Sequence, residues 1–279
     1  MRKITDKTKL AAIILAVPKH DPFSSVIEFH FSRVGWKVKV FNSIDNCKKM
    51  LDSGKASMCI LDYSLAESQQ FVRAVKSKKE TCFMPVIILF PRGRNPERAD
   101  EFRVCGDEHL VEPFEIYSLL MLAENELNRT AKRDKALLHQ ICFQFPTTEE
   151  NLDCASQFMT ELLKQSHLID EKQVAMNAAF REAVLNAAQH GNRYNRDKQI
   201  KVLYLLNPEK VSTIVMDDGE GFNHLLYLKR SESSDAVSAA RERYEQGRLG
   251  GLGIMLMLKC TDRIEYNDKG NSITLTKYV

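Results

Sequence analysis

The chain has 279 residues, enough for two domains of ordinary size. Hydrophobic residues make up 44% and charged residues 28%, a balance that builds buried cores, and a net charge of +3 (40 basic against 37 acidic side chains) is too even to point to nucleic acid or an anionic membrane surface. No apolar run approaches the roughly 18–20 residues that a membrane span needs, and no signal-peptide pattern or paired-cysteine motif is present. The seven scattered cysteines therefore read as reduced thiols in a cytoplasmic protein.

The first half alternates short apolar runs with amphipathic stretches. Strands are predicted at Leu10–Val17, Trp36–Phe41, Ser57–Leu61, Pro85–Phe90 and His109–Val111. Helices are predicted at Phe23–Val34, Ile44–Leu51, Ser68–Lys78, Pro96–Val104 and Glu115–Thr130, the last running on through the charged Ala131–Leu138. Such alternation implies a doubly wound parallel sheet covered on both faces. The expected division is a first domain over 8–130, a helical linker over 131–142 and a second domain over 143–279.

The second half has a different grammar. A strand at Ile141–Phe145 leads into Thr147-Thr148-Glu149-Glu150, a helix-start signal, and helices follow at Asn151–Gln165 and Glu171–His190. Strands Ile200–Leu206 and Val211–Met216 flank the turn signal Asn207-Pro208-Glu209-Lys210. A long polar segment, His224–Arg248, precedes a glycine-rich turn that opens a helix at Leu252–Cys260. Strands Arg263–Tyr266 and Ser272–Lys277 close the chain. Helices on one antiparallel sheet define an α+β layer.

Three constellations in this half carry chemistry. Glu182, Asn186 and His190 recur every four residues, on one face of a helix. A carboxylate there can take a proton from a hydroxyl, and an amide oxygen suits Mg²⁺; a polar helix face is the plain alternative. Asp217-Asp218-Gly219-Glu220-Gly221-Phe222 follows a strand directly, so its acid can accept from an exocyclic amine while the glycines let backbone approach a ligand. An acidic turn is the alternative there. Gly250-Gly251-Leu252-Gly253 opens a helix whose free amides favour phosphate, with Arg248 just upstream to pair with a terminal phosphate; a flexible loop is the alternative.

In their order, these motifs resemble the N, G1 and G2 boxes of the GHKL ATPase superfamily, which includes gyrase, MutL and the histidine kinases. Glu182-Ala-x-x-Asn-Ala-x-x-His190-Gly-Asn192, the Asp217 motif, Gly250-Gly-Leu-Gly253-Ile and Thr261-Asp262-Arg263-Ile264-Glu265-Tyr266 are most similar to the serine-kinase anti-sigma factors of partner-switching systems. The resemblance implies a Bergerat-type α/β sandwich that binds ATP and Mg²⁺. It assigns Asn186 to Mg²⁺, Asp217 to the adenine amine, Gly219 and Gly221 to the nucleotide-facing turn, and Gly250, Gly251 and Gly253 to the phosphates. Glu182 activates the attacking hydroxyl, Thr274 helps hold adenine through water, and 224–248 is the ATP lid, with a helical reading at Ala236–Tyr244. The implied partners are an anti-sigma antagonist and a sigma factor, with no direct nucleic acid and no membrane, and the family's habit implies a homodimer.

The competing readings are a nucleotide-dependent binding switch without turnover, an interaction scaffold, and a histidine kinase. The last needs a phosphoacceptor histidine on a dimerising helix, and His139-Gln140-Ile141-Cys142 lacks that chemistry. Residues 8–130 resemble a response-regulator receiver domain in which Asp62 aligns with the phosphoacceptor. The acidic pair of that family falls on Lys19-His20 (Asp21 remains), its hydroxyl position on Phe90 and its lysine on Glu112. Receiver phosphorylation needs the metal and the lysine, so the expectation is a degenerate receiver that binds a partner or dimerises, with Asp62 a leftover or a turn-capping residue.

Overall fold

Short β-branched runs bounded by glycine, proline and serine become the strands of the first half in a computed structural model of the protein, which describes residues 12–19, 21–221 and 252–279. They are β1 (Ala12–Ala16), β2 (Lys37–Phe41), β3 (Met58–Asp62), β4 (Val86–Phe90) and β6 (Glu108–Val111). All pair in parallel in the order β2-β1-β3-β4-β6, with Leu15 opposite Ile60 and Ile60 opposite Ile87. Counting only these five strands, the order is 2-1-3-4-5, a common doubly wound topology. Helices α1 (Ser24–Arg33), α2 (Ile44–Asp52) and α3 (Ser68–Ser77) supply the first three crossovers, non-helical chain over 91–107 makes the fourth, and α4 (Ile116–Ala131) follows β6. The central strands are buried on both faces, as parallel strands between helix layers must be.

One predicted helix is absent. Pro96–Val104 forms turns followed by the two-residue strand β5 (Arg103–Val104). Ala99 and Phe102 have helical spacing, but other partners hold them. The Asn95 side chain accepts from the Glu97 N–H at 2.9 Å, a local turn that competes with a helix start. Ala99 and Phe102 are bound by the second half of the chain, and tertiary contacts override the weak local propensity.

The chain accordingly divides into two compact units that do not follow the sequence boundary. One unit holds the described residues up to Glu97 together with Val104–Lys135; the other holds Arg98–Arg103 together with Ala136–Val279. The expected helical linker over 131–142 is also corrected. Helix α4 ends at Ala131, turns and irregular backbone follow, and a strand begins at His139.

The second unit is a mixed layer of helices on an antiparallel sheet. Its elements are β7 (His139–Pro146), α5 (Glu149–Lys164), α6 (Asp170–Asn186), a π turn (Ala187–Gly191), β8 (Gln199–Leu206), β9 (Lys210–Asp217), α7 (Leu252–Cys260), β10 (Arg263–Tyr266) and β11 (Ser272–Tyr278). The sheet order is β10-β11-β9-β8-β7, with β5 as a short outermost strand. Thr148 caps α5 by accepting from the Asn151 N–H at 3.4 Å. Asn207 accepts from the amides of Glu209 (3.0 Å) and Lys210 (2.8 Å), which closes the β8–β9 hairpin. Val211, Thr213 and Val215 alternate inward along β9 opposite Leu206, Tyr204 and Val202, and all six are buried. Helix α6 packs between α5 and α7, its Met176, Phe180, Ala183 and Val184 turned into the core.

Candidate nucleotide site

Helix α6 carries Glu182 and Asn186 on successive turns, and immediately afterwards the helix widens. The Asn192 N–H bonds back five residues to the Ala187 carbonyl at 2.7 Å, and the Tyr194 N–H reaches Ala188 at 2.8 Å. Such π turns insert one extra residue and recur at functional sites. Their effect here is to carry Gly191 and Asn192 sideways against the end of β9. The chain then leaves through Arg193 and Tyr194, both at positive φ (54° and 52°), a backbone region unfavourable for side chains with a Cβ. His190, predicted in line with Glu182 and Asn186, is exposed and lies beyond the change of pitch.

Asp217 is the last residue of β9 and is half-buried. Its Oδ1 accepts from the Gly219 N–H at 2.8 Å, and among the described residues Oδ2 accepts no hydrogen bond. A methyl group on Gly191 or on Gly219 would overlap the Asp217 carboxylate, so both glycines are needed for its placement. Gly221 has φ +80°, and a Cβ there would strike the Lys269 carbonyl. Burial pushes the Asp217 carboxyl up from its ordinary value; the Gly219 N–H opposes this, Asp218 adds to it, and Lys198 and Lys269 oppose it.

At the other end of the site, α7 begins against α6. Gly253 lies so close to the Glu182 carboxylate that a Cβ would occupy the same space. The first turn of α7, with its outward-facing amides, thus meets the carboxylate. Burial raises the Glu182 pKa, and the nearby His190 opposes that shift.

The frame holding Asp217 is built largely from residues outside the assigned site positions. Asn192, 1% exposed, donates to Thr147 Oγ1 and to the Gln199 carbonyl, each at 3.0 Å, and accepts from the Asp218 N–H at 3.0 Å. Asp218 accepts from the Gln199 N–H at 2.8 Å. Asn271 donates its side-chain amide to the Asp217 carbonyl at 2.9 Å, and its own carbonyl accepts from the Asp217 N–H at 3.0 Å. The one signal for Asn192 was its place in His190-Gly191-Asn192; Gln199 and Asn271 carried none.

Thr274 departs from expectation. It pairs with Ile214 on β9, whereas Asp217 shares the register face of Thr213 and Val215. Successive residues of a strand point to opposite faces, so Thr274 lies across the sheet from Asp217. Arg248, Gly250, Gly251 and the expected lid over 224–248 lie outside the described residues. His139 is fully buried in β7 with its ring 5.7 Å from that of Tyr204, a position unsuited to a phosphoacceptor on a dimerising helix. In the first unit, Asp62 Oδ1 accepts from the Ser64 N–H (2.8 Å) and hydroxyl (2.6 Å), and Phe90 stacks on Tyr63 at 4.7 Å beside that strand end.

Residues 145–277 match the family described as the histidine kinase-like ATPase domain, and with the Asp217 turn and the α6–α7 junction they define the second unit as a domain of that class. Two similar proteins are named serine-protein kinase RsbW. That of Listeria monocytogenes serovar 1/2a is 27% identical over 146 residues, spanning 52% of this chain and 90% of its own. That of Bacillus subtilis (strain 168) is 24% identical over 105 residues, 37% of this chain and 63% of its own. A probable transcriptional regulator, ycf29, of Cyanophora paradoxa is 24% identical over 105 residues, 37% of this chain and 50% of its own. Among solved structures, a putative response regulator from Chloroflexus aurantiacus J-10-fl is 18% identical over 43% of this chain and 99% of its own, with a TM-score of 0.37. The receiver domain of the response regulator TorR is 19% identical over 43% of this chain and 98% of its own, with a TM-score of 0.36. The chain therefore joins a doubly wound parallel-sheet unit to a GHKL-type ATPase domain related to the RsbW serine kinases. No helix among the described residues is long and apolar enough to cross a membrane.

Proposed function

We propose that the protein is an ATP-dependent serine kinase that modifies a small protein partner, an anti-sigma antagonist, and binds a sigma factor in a partner-switching pathway of the cytoplasm. The observation that carries this reading is the meeting of Glu182 with the first turn of α7 at Gly253, which puts a half-buried carboxylate beside amides suited to a phosphate. Asp217 would take the adenine amine on Oδ2, the oxygen not engaged by Gly219. Gly219 and Gly221 leave the room that a close-lying nucleotide needs.

The donor set suits Mg²⁺, which keeps several waters and phosphate oxygens and asks little of the protein, so one amide oxygen from Asn186 fits it. When bound, the metal neutralises charge on the phosphate oxygens. In the transfer, the serine oxygen of the partner forms a bond to the γ-phosphorus, the bond to the β–γ bridging oxygen breaks, and ADP leaves. Glu182 receives the hydroxyl proton. Arg248, Gly250 and Gly251 complete the phosphate contacts in this reading.

The test is transfer of radiolabelled γ-phosphate from ATP to proteins retained by the full chain from a bacterial lysate. Glu182→Ala should lower transfer by about 10²-fold or more, the scale of a lost general base, while ATP affinity stays within about threefold. Loss of ATP affinity in that variant, with no transfer by the parent protein, would leave a nucleotide-dependent binding switch as the reading.

A further inference from the structure

The segment Arg98–Phe102 lies in sequence between two strands of the first unit, β4 and β6, yet it folds as part of the second unit. Its attachment is specific. The Ala99 N–H donates to Gln199 Oε1 at 3.0 Å, and Gln199 Nε2 returns a bond to the Ala99 carbonyl at 3.3 Å, so one side-chain amide clasps one peptide residue on both sides. The Phe102 N–H donates to Asn151 Oδ1 at 2.9 Å. The Phe102 ring stands 5.4 Å from both Phe143 and Phe158 and 6.1 Å from Phe145. Arg98 reaches Asp197 at 2.8 Å.

Gln199 is only 7% exposed and faces the nucleotide turn through its backbone. Its N–H donates to Asp218 Oδ2 at 2.8 Å, and its carbonyl accepts from Asn192 Nδ2 at 3.0 Å. Asn192 in turn holds the Asp218 N–H at 3.0 Å and follows Gly191, which abuts the Asp217 carboxylate. An unbroken set of hydrogen bonds thus runs from Ala99 through Gln199 to both residues that orient the Asp217–Gly219 turn. Asn192 and Gln199 in this set are buried, and buried polar groups that are fully hydrogen-bonded hold one another rigidly.

We infer that Gln199 is a positioning residue for the nucleotide site and that the Arg98–Phe102 segment, through it, sets the affinity for ATP. The inference rests on the nucleotide reading of the Asp217 turn and adds a control element to it. Coupling between two sites is reciprocal, so a segment that tightens nucleotide binding must itself be tightened by nucleotide.

Amide hydrogen exchange of the full chain with and without ATP and Mg²⁺ tests this. ATP should slow exchange at Gly219 and, by about tenfold, at Ala99 and Phe102, a coupling of ordinary size. Gln199→Leu should abolish the slowing at Ala99 and weaken ATP affinity about tenfold while the far-ultraviolet circular dichroism is retained. If Gln199→Leu does not fold, Ala99→Pro, which removes the N–H donated to Gln199 Oε1 and fixes φ at that residue, takes its place; exchange is then read at Phe102, where the slowing by ATP should be lost, and ATP affinity should weaken about tenfold. A merely structural clasp would lower the melting temperature and leave ATP affinity unchanged. Slowing at Gly219 without slowing at Ala99 and Phe102, or full ATP affinity in a folded variant, overturns the inference alone. No slowing at any of the three overturns the nucleotide reading and the inference together.

Discussion

Asp217 ends β9 with a half-buried carboxylate whose Oδ1 accepts from the Gly219 N–H. Its carboxyl is pushed up by burial, with Asp218 adding to the shift, so the ionised form is held in surroundings that disfavour it. A folded-state pKa above the unfolded one means that the native state binds more protons between the two values, and stability falls as pH rises through that window. The penalty is complete above the folded pKa and absent below the unfolded value. Asp217→Asn should therefore raise stability at neutral pH, by less than about 1 kcal/mol after solvent screening of a half-exposed group, and the gain should vanish below about pH 4. Melting curves at pH 7 and pH 3.5 check this. The same variant should lose ATP affinity by roughly tenfold to a hundredfold. An asparagine that keeps its carbonyl on the Gly219 N–H presents an NH₂ where an acceptor is needed, and one that turns round loses Gly219. Stability gained with unchanged ATP affinity would remove Asp217 from the site. Glu182 has a related signature. Its pKa is raised by burial, with His190 opposing, so phosphate transfer should fall with decreasing pH at a value above that of a free glutamate.

At the scale of elements, the π turn Ala187–Gly191 does what no periodicity could announce. The apolar spacing from Val174 to Ala188 is helical throughout, so the sequence predicts one helix to His190; the widened turn shows only in backbone hydrogen bonds. Deleting Gln189, an exposed residue within it, should relax the turn to an α-helix and rotate Gly191 and Asn192 away from Asp217 and Gln199. ATP affinity should drop by more than tenfold with helix content retained, since Asn192 then loses up to three hydrogen bonds of about 1 kcal/mol each. Circular dichroism and calorimetry check the two halves of that statement. Elements with a strong local signal were legible: the apolar strands β1, β3 and β4, the Asn207 hairpin, and the Asp217-x-Gly-x-Gly221 turn after β9. The frame around Asp217 was not, because Gln199, Asn192 and Asn271 act through backbone groups distant in sequence. Thr274 pairs with Ile214, one residue of strand register off the face of Asp217, and one residue of register reverses the face.

At the scale of the molecule, two units with different grammars were visible in the sequence, but their boundary was not. The six residues Arg98–Arg103 were expected in a first-unit helix, and their partners Gln199, Asn151 and Phe143 lie about 40 to 100 residues away. A fragment of residues 136–279 therefore contains the whole segment that matches the ATPase family and still lacks part of its own core. Phe102 is half-buried among Phe143, Phe145 and Phe158, and deleting a fully buried phenylalanine side chain costs about 3–5 kcal/mol, so its absence should cost roughly 2 kcal/mol. That is a large share of a typical domain's net stability. The fragment should unfold at a lower urea midpoint than the second unit does within the full chain, with a similar slope. Phe102→Ala in the full chain should lower the midpoint of the second unit comparably, which separates loss of the ring from loss of the remaining chain. Adding a peptide of residues 96–105 to the fragment should restore part of the difference by mass action. Equal midpoints for fragment and full chain, with no effect of the peptide, would make the segment a passive passenger on the ATPase surface and confine the second unit to 136–279.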